Sequence, residues 1–274
     1  MKKILITGAN GFIGRNLLES LNNEYNIYCP TRKELDLLSE KSVERYMKNN
    51  YFDVVIHSAV QDTLGEKKIY EVQALDRNLR MFFNLEKCKG YYGKMYCLGS
   101  GAEYDKRNYI PMMDEGYFGK NIPIDSYGFS KYIIAKSILK SENIYNLRLF
   151  GVYGKYEKYK YRFISNSICK IIRNKDIEIN DYLYIDDLCN IIKWFIENKP
   201  LFKSYNLCTG KKTDLITIAK IVLDISGKEL DIVVKKDGLN KEYTGNNKRL
   251  IREIGNFKFT SLEKSIKELY DLHL

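Results

Sequence analysis

Short apolar segments alternate with amphipathic stretches along the first half of this chain. The run "KILIT" is followed by a stretch that places four small or apolar residues on one helical face, namely Gly14, Leu17, Leu18 and Leu21. The apolar segments "YNIYC", "DVVIHSA", "KMYCLGS" and "IYNLRLF" are likewise separated by helical patterns, among them "SEKSVERYMKN" and residues 69–88. Apolar strands that alternate with helices are typical of a parallel sheet covered on both faces. The pattern therefore predicts an α/β, doubly wound fold.

The alternation becomes looser in the second half of the chain. We predict a helix over residues 161–174, a strand at "DIEI", and two returns to the sheet at "DYLYIDDLCNIIKWFIEN" and "SYNLCTG". Further helical patterns lie around "DLITIAKIVLDIS" and "TSLEKSIKELY". The last helix is predicted to begin with a capping box from Thr260 to Glu263. Asp186 and Asp187 in "YIDDL" are predicted to cap the helix that follows them.

The length and the apolar content fit a globular protein. With 274 residues, 45% of them hydrophobic, the chain can form one domain or a large and a small one. No apolar run approaches the roughly 20 residues that a membrane-spanning helix needs. The start, "MKKILITGAN", has a short apolar run and no small-residue cleavage site, so it predicts a buried strand rather than a signal peptide. We therefore expect a cytoplasmic protein that does not bind membranes.

Basic residues exceed acidic ones but do not form a patch. The formal net charge is +10, yet the 45 Lys and Arg are spread along the chain among 35 Asp and Glu. Because no dense basic run or basic–aromatic repeat occurs, we do not expect nucleic-acid binding. The excess of positive charge favours small polyanions such as nucleotides.

Cysteine and histidine offer little for metal or triad chemistry. The six cysteines, at positions 29, 88, 97, 169, 189 and 208, include no C-x-x-C pair and have mostly apolar neighbours, which is typical of buried free thiols. The two histidines are His57, within the apolar run "DVVIHSAV", and His273, among the final residues. A histidine-based metal site and a Ser-His-Asp triad are therefore disfavoured, and we expect no metal.

A glycine-rich loop follows the first predicted strand. "TGANGFIG" places Gly8, Gly11 and Gly14 between that strand and the next helix. In such a loop the first glycine permits a tight turn, the second lets the backbone approach a pyrophosphate, and the third lets helix and strand pack closely. The helix N-terminus adds amide donors and a positive dipole. A structural turn is the alternative, but the position between strand and helix predicts dinucleotide binding.

The end of the second predicted strand bears on the choice of cofactor. A dinucleotide site usually offers a carboxylate here to the ribose of NAD, or an arginine to the 2′-phosphate of NADP. In "YCPTRKELDL" these positions hold Arg32 and Lys33. NADP(H) is therefore the preferred cofactor. NAD(H) and a merely solvated turn are the alternatives.

Three further residues predict carbonyl chemistry. Tyr127 and Lys131 lie one helical turn apart in "DSYGFSKYIIAKSI", and Ser100 in "YCLGSGAEYD" follows the fourth predicted strand, at the edge where a doubly wound sheet binds ligands. A tyrosine exchanges a proton with a substrate oxygen when a nearby ammonium stabilises its phenolate, and a serine can hydrogen-bond the same oxygen. A chance Tyr–Lys pair is the alternative in a chain with 23 tyrosines. Together with the glycine loop, the three residues predict a hydride-transfer site.

These motifs together resemble the extended short-chain dehydrogenases/reductases, in particular the sugar-nucleotide epimerase/dehydratase/reductase family. The blocks "TGANGFIG", "DVVIHSA", "SYGFSK", "LRLFGVYG", "LYIDDL", "YNLCTG" and "TSLEKSIKELY" match family blocks in order over nearly the whole length. The resemblance implies a Rossmann-type NAD(P)-binding domain over residues 1–155 and 181–208, and a smaller, discontinuous C-terminal substrate-binding domain over residues 156–180 and 209–274. It also implies a homodimer formed through two helices, residues 69–88 and 124–141. Besides the three glycines, it implies cofactor contacts at Asn10, Phe12, Ile13 and Ala59.

Departures from the family pattern narrow the reaction. Where 4,6-dehydratases carry Asp-Glu after the catalytic hydroxyl residue, this chain has Gly101 and Ala102. Bifunctional enzymes similar to GDP-fucose synthase carry a cysteine at the position of Ala102 and a histidine near that of Arg162. These differences disfavour dehydration and epimerisation at C3 and C5. Among the reactions of the family, they leave hydride transfer at one carbon. Two other departures concern the substrate, because Gly151 replaces a usual asparagine and the loop at residues 180–181 is short, either truly trimmed or lacking a stretch.

The first interpretation is an NADPH-dependent 4-ketoreductase of a nucleotide-diphospho-4-keto-6-deoxysugar. One alternative is a nucleotide-sugar C4 epimerase that keeps NAD bound, against which Arg32 argues. A second alternative is a non-enzymatic regulator that senses the cofactor. The Tyr127–Lys131 pair argues against it. The candidate substrate contacts are Gln61 and Glu103 for the sugar, and Arg162 with Lys160 for the diphosphate. A solvated position is the alternative for Glu103, Arg162 and Lys160.

Overall fold

A six-stranded parallel sheet forms the centre of the protein, in a computed structural model that describes residues 1–61, 68–158, 162, 164, 165, 167, 179–228, 232 and 242–273. The strand order is β2-β1-β3-β4-β5-β9, and all neighbours are parallel. The six strands are β1 (Lys3–Thr7), β2 (Asn26–Tyr28), β3 (Phe52–His57), β4 (Tyr92–Ser100), β5 (Ile144–Leu149) and β9 (Ser204–Leu207). The predicted α/β, doubly wound fold is confirmed.

Helices cover both faces of this sheet. They are α1 (Phe12–Leu21), α2 (Glu40–Lys48), α3 (Lys68–Lys87), α4 (Ser126–Ile138), α5 (Ile185–Glu197), α6 (Leu215–Ser226), α7 (Lys248–Ile254) and α8 (Leu262–Asp271). None of the helices within the described residues is long and apolar enough to cross a bilayer. Most of the predicted helix over 161–174 and most of the strand "DIEI" fall outside the described residues.

The alternation of side chains along the strands creates two cores. Successive residues of a strand point to opposite faces, so Ile4 and Ile56 pack on one side and Leu5 and Val55 on the other. The first core contains side chains of α1 and α5, such as Leu17, Leu21, Ile191 and Phe195. The second contains side chains of α2, α3 and α4, such as Val43, Met47, Phe82, Leu85, Ile134 and Ile138. Apolar residues on both faces are what made the strands recognisable in the sequence.

Short strands beyond the sheet form a smaller unit. β6 (Gly151–Tyr153) pairs in parallel with β8 (Tyr182–Tyr184), and β7 (Ile179–Asn180) pairs with β10 (Thr213–Asp214) in the antiparallel sense. Asp181 alone separates β7 from β8. The connection between these two strands is therefore a single residue, as short as the sequence indicated. The division into a cofactor domain and a substrate domain at residues 155, 181 and 208 stays a prediction.

The short loop accounts for the unusual glycine in β6. The amide of Gly151 donates to the carbonyl oxygen of Asp181 at 3.0 Å. A Cβ atom at position 151 would lie 2.5 Å from the same oxygen. No side chain fits there, so the missing asparagine and the short loop are two parts of one structural change.

Two predicted helix caps are wrong. α8 begins after Ser261, whose hydroxyl accepts from the amide of Lys264, so the capping box from Thr260 to Glu263 does not form. Thr260 instead donates through its amide and its hydroxyl to Asp187, at 2.9 Å each. Asp187 thus binds the segment before α8 and does not cap α5, which follows Tyr184 without a side-chain cap. A tertiary contact outweighs the local capping preference at both helices.

Candidate active site

A cavity of about 1050 Å³ opens at the carboxyl ends of the sheet strands. It lies where the strand order changes direction between β1 and β3, which is the usual ligand position in doubly wound sheets. Eleven of the residues that were singled out in the sequence line it, namely Gly8, Asn10, Gly11, Phe12, Ile13, Ala59, Gln61, Ser100, Tyr127, Lys131 and Arg162. Four others among the described residues do not line it, namely Gly14, Arg32, Lys33 and Glu103.

The glycine loop forms a cradle that side chains would fill. Gly8 has a φ of +73°, and a Cβ atom there would lie 2.7 Å from the backbone of Ala59. A Cβ atom on Gly14 would lie 2.3 Å from the carbonyl oxygen of Gly8, so helix α1 packs tightly onto the loop. Gly11 is the N-cap of α1 and has no side chain to occupy the helix N-terminus. A backbone cradle at a helix N-terminus suits a pyrophosphate, so the residues present fit a dinucleotide cofactor.

Arg32 and Lys33 lie on the exposed loop after β2. The side chain of Arg32 is 72% exposed, and its Nε lies 3.6 Å from Asp36. An exposed ion pair of this kind is weak, so Arg32 can exchange Asp36 for another anion at little cost. Contact of Arg32 and Lys33 with a cofactor phosphate stays a prediction.

Ser100, Tyr127 and Lys131 meet at the same end of the cavity. Asp125 caps α4 by accepting from the amide of Gly128 at 2.9 Å, which fixes the helical turn that carries Tyr127. Lys131 is buried one turn later. Its Nζ donates to the carbonyl oxygen of Leu98 at 2.6 Å and lies 5.9 Å from the centre of the Tyr127 ring. Strand β4 and helix α4, which were predicted separately, thus bring a hydroxyl, a phenol and an ammonium together.

His57 lies below this group and takes no proton at working pH. Its Nδ1 is 2.9 Å from the hydroxyl of Thr7, and the side chain is buried. Burial first, and the charge of Lys131 second, lower the pKa of His57 to about 3. The imidazole is therefore neutral, and Tyr127 is a better proton donor for this cavity.

The predicted substrate contact at Glu103 does not fit the structure. Glu103 is fully buried. Its carboxylate accepts from the Ser100 amide at 3.0 Å, from Asn146 Nδ2 at 2.9 Å and from Arg148 Nε at 2.5 Å. A Cβ atom on Gly99 would lie 2.4 Å from the same carboxylate, so that glycine makes room for it. Glu103 supports the backbone of Ser100 and does not reach a sugar hydroxyl.

The other two predicted substrate contacts lie on the cavity wall. The side-chain oxygen of Gln61 accepts from Arg77 at 3.1 Å, and its amide donates to Asn78 at 2.8 Å, which fixes its position. Arg162 lines the cavity and is exposed. Lys160 lies outside the described residues, as does Cys169.

Glu157 and Tyr243 are among the acidic and phenolic groups of the cavity that sequence reasoning missed. Glu157 lines it, and burial raises the pKa of that carboxyl to about 7, against the hydrogen bond from Ser165 and the charge of Arg162. Tyr243 lines it as well, next to Ser100. No local pattern in the sequence marked Tyr243, because its position depends on backbone contacts with Met113 and Asp181. Within the described residues, no cluster of three or more His, Cys, Asp or Glu forms a metal site.

Comparison with known proteins identifies the family. The model of the NAD dependent epimerase/dehydratase family matches residues 4–208, and the chain belongs to this family. It is therefore an NAD(P)-dependent enzyme of the oxidoreductase type. The resemblance to the extended short-chain dehydrogenases/reductases and the prediction of an enzyme are confirmed.

Individual relatives match over almost the whole chain. GDP-6-deoxy-D-talose 4-dehydrogenase of Aggregatibacter actinomycetemcomitans is 24% identical over an alignment of 291 residues, gaps included. The alignment covers 98% of this chain and 97% of the relative. The NADP-bound GDP-mannoheptose C4 reductase of Campylobacter jejuni superimposes with a TM-score of 0.85 at 21% identity, covering 99% and 98% of the two chains. UDP-glucose 4-epimerase of Thermotoga maritima, with UDP-glucose, gives a TM-score of 0.84 at 19% identity, covering 99% and 98%. At these identities the structures support the fold.

Proposed function

We propose that this enzyme is an NADPH-dependent 4-ketoreductase that acts on a nucleotide-diphospho-4-keto-6-deoxysugar. The observation that carries the proposal is that Ser100, Tyr127 and Lys131 line the same cavity as the glycine cradle. Next to Ser100 stand Gly101 and Ala102 instead of the acidic pair of dehydratases. The cavity thus offers Tyr127 as a proton donor beside a cofactor cradle, which is sufficient for reduction of one carbonyl group.

Different residues of the chain have different roles in the proposed reduction. Tyr127 donates the proton to the carbonyl oxygen of the sugar, and the ammonium of Lys131 stabilises the phenolate that this leaves. Ser100 hydrogen-bonds the same oxygen and stabilises the charge that develops on it. Gly8, Gly11 and the N-terminus of α1 hold the pyrophosphate of the cofactor, and the nicotinamide supplies the hydride when bound.

The relatives support the substrate class. The dehydrogenase and the reductase named above carry GDP-linked sugars in their names, and both names refer to redox chemistry at C4. A cavity of about 1050 Å³ is large enough for a cofactor and a sugar nucleotide side by side. The same comparison keeps a C4 epimerase as the alternative, because the Thermotoga maritima enzyme shares the fold.

We further propose that the enzyme is a homodimer through α3 and α4. The two helices pack against each other, and Ser137 of α4 donates to Glu86 of α3 at 2.8 Å. Val72 of α3 and Ile124, just before α4, are 77% and 73% exposed. A second copy would cover these apolar side chains. Sedimentation analysis of the purified protein tests this proposal.

The direct test of the function is consumption of NADPH with a panel of 4-keto-6-deoxysugars. The panel consists of enzymatically generated dTDP-, GDP-, CDP- and UDP-linked sugars, with NADH assayed alongside. We expect rapid oxidation of NADPH with one nucleotide series. No oxidation with any sugar, together with release of bound NAD on denaturation, would favour the epimerase.

The preference for NADPH is expected to depend on Arg32. Arg32→Ala should raise KM for NADPH about tenfold, because hydrogen bonds between charged groups contribute about 1.5–3 kcal/mol and each 1.4 kcal/mol is a factor of ten. KM for NADH, which lacks the 2′-phosphate, should stay the same. Steady-state kinetics with both cofactors measures the effect. Arg45→Ala on the exposed face of α2 is the matched control. Equal changes for both cofactors would contradict a 2′-phosphate contact.

A further inference from the structure

A short segment near residue 243 reaches the active site from the C-terminal part of the chain. It is held on both sides by backbone hydrogen bonds. The amide of Asp181 donates to the carbonyl oxygen of Tyr243 at 3.2 Å. The amide of Met113 donates to the carbonyl oxygen of Thr244 at 3.1 Å, and the amide of Asn246 donates back to Met113 at 2.8 Å. The backbone of Tyr243 is therefore fixed between the main sheet domain and the smaller unit.

Packing also fixes the ring of Tyr243. The ring lies between Tyr109 and Phe150, with centroid distances of 5.0 Å to each and interplanar angles of 26° and 34°. Its hydroxyl lies beside Gly101 and Ser100 on the cavity wall. A Cβ atom on Gly101 would lie 2.6 Å from that hydroxyl oxygen. Gly101 thus leaves the space that the Tyr243 hydroxyl occupies.

The hydrogen bonds of Ser100 can be counted. A serine hydroxyl has one donor and two acceptor positions. The Oγ atom of Ser100 accepts from the amide of Ala102 at 3.1 Å. Desolvation among the aromatic rings raises the pKa of Tyr243 well above that of a free tyrosine, so its O–H stays protonated and can donate. A hydrogen bond donated by Tyr243 would fill the second acceptor position of Ser100 and leave its proton for another partner.

We propose that Tyr243 is a positioning residue whose hydroxyl donates to Ser100 Oγ and thereby directs the single Ser100 proton to the carbonyl oxygen of the substrate. This inference rests on the proposed reduction, which gives Ser100 its substrate oxygen. It assigns a function to a residue outside the Ser-Tyr-Lys group. It also explains Gly101, because any side chain there would displace the hydroxyl that orients Ser100.

The first test compares Tyr243→Phe with Tyr109→Phe. Both variants remove one phenolic oxygen. The hydroxyl of Tyr109, however, donates to the carbonyl oxygen of Gly101 at 3.4 Å and not to Ser100. We expect Tyr243→Phe to lower kcat about 10- to 100-fold, as for a small misplacement of a catalytic group, with KM for NADPH unchanged. Tyr109→Phe should stay within about twofold of the wild type. Equal kinetics for wild type and Tyr243→Phe would overturn the proposal.

A double-variant cycle separates positioning from a structural role. In a Ser100→Ala background the hydroxyl that Tyr243 orients is missing, so adding Tyr243→Phe should cause no further loss of kcat. A further loss as large as that in the wild-type background would show that Tyr243 acts independently of Ser100, and would overturn the proposal. Gly101→Ala is a second route to the same effect and should lower kcat as Tyr243→Phe does.

A crystallographic test does not depend on the reaction. If the wild type reduces none of the 4-keto sugars, the proposed function fails, and structures of the wild type and Tyr243→Phe judge the positioning alone. We expect one Ser100 rotamer in the wild type, and a different or a split one in the variant. The same single rotamer in both structures would overturn the inference.

Discussion

Replacement of Tyr127 by phenylalanine is expected to lower kcat about 10²- to 10⁴-fold, the usual contribution of a general acid. The variant keeps the ring that lies 5.9 Å from Lys131 Nζ and loses only the hydroxyl that we propose as the proton donor. The affinity for NADPH should change little, since the pyrophosphate cradle at Gly8 and Gly11 is untouched. Stopped-flow turnover gives kcat, and fluorescence titration gives the Kd of NADPH.

A neighbouring tyrosine serves as the control for this experiment. Tyr132 lies on the same helix, buried against Phe118 at a ring distance of 5.0 Å. Tyr132→Phe removes the same atom from the same helix and should leave kcat within about twofold. Full turnover of Tyr127→Phe, or an equal loss in both variants, would show that the phenol of Tyr127 is not the acid.

The second large effect is expected on stability, from the buried pair of Glu103 and Arg148. Both side chains are 1% exposed, and the Glu103 carboxylate also accepts from Asn146 and from the Ser100 amide. Glu103→Gln leaves the guanidinium of Arg148 buried without its counter-ion, which costs about 3–5 kcal/mol in comparable cases. We expect the free energy of unfolding to fall by that amount. Urea denaturation followed by circular dichroism measures it.

Two further variants make this test specific. Glu103→Gln combined with Arg148→Met removes both charges and should recover a large part of the loss, because no buried charge is then left without a counter-ion. Glu44→Gln makes the same chemical change in the exposed pair of Glu44 and Lys48, whose atoms are 2.6 Å apart, and should leave the midpoint nearly unchanged. If the double variant is no more stable than Glu103→Gln, lost packing rather than an unpaired charge is the cause.

Local patterns predicted the sheet and eleven of the residues that line the cavity. The strands were visible because their residues are apolar on both faces, and the glycine loop, Ser100, Tyr127 and Lys131 follow strands or occupy a helical turn. The carboxyl ends of parallel strands meet at one edge, so positions far apart in the sequence could be assigned to one site. The helix caps at Ser261 and Tyr184 were not predicted, since contacts between distant segments decided them.

The errors at Glu103 and Tyr243 have different origins. The sequence contained a signal for the first, because Arg148 lies inside the apolar strand "IYNLRLF", and a cation in a buried strand needs a buried partner. Glu103, close to the end of the neighbouring strand, was the available acid. Tyr243 follows no periodic pattern, and its position depends on a backbone that is bound to Met113 and Asp181. No local rule contains that information.

The packing of α5 against α1 also affects how the chain folds during synthesis. Leu17 and Leu21 of α1 share a core with Ile191 and Phe195 of α5, a helix that the ribosome makes more than half a chain later. Strand β9, the partner of β5, comes later still. Until then one face of the nascent sheet and one of its edges are uncovered, and parallel pairing across such distances is slow. The growing chain therefore presents an apolar surface to chaperones for most of its translation.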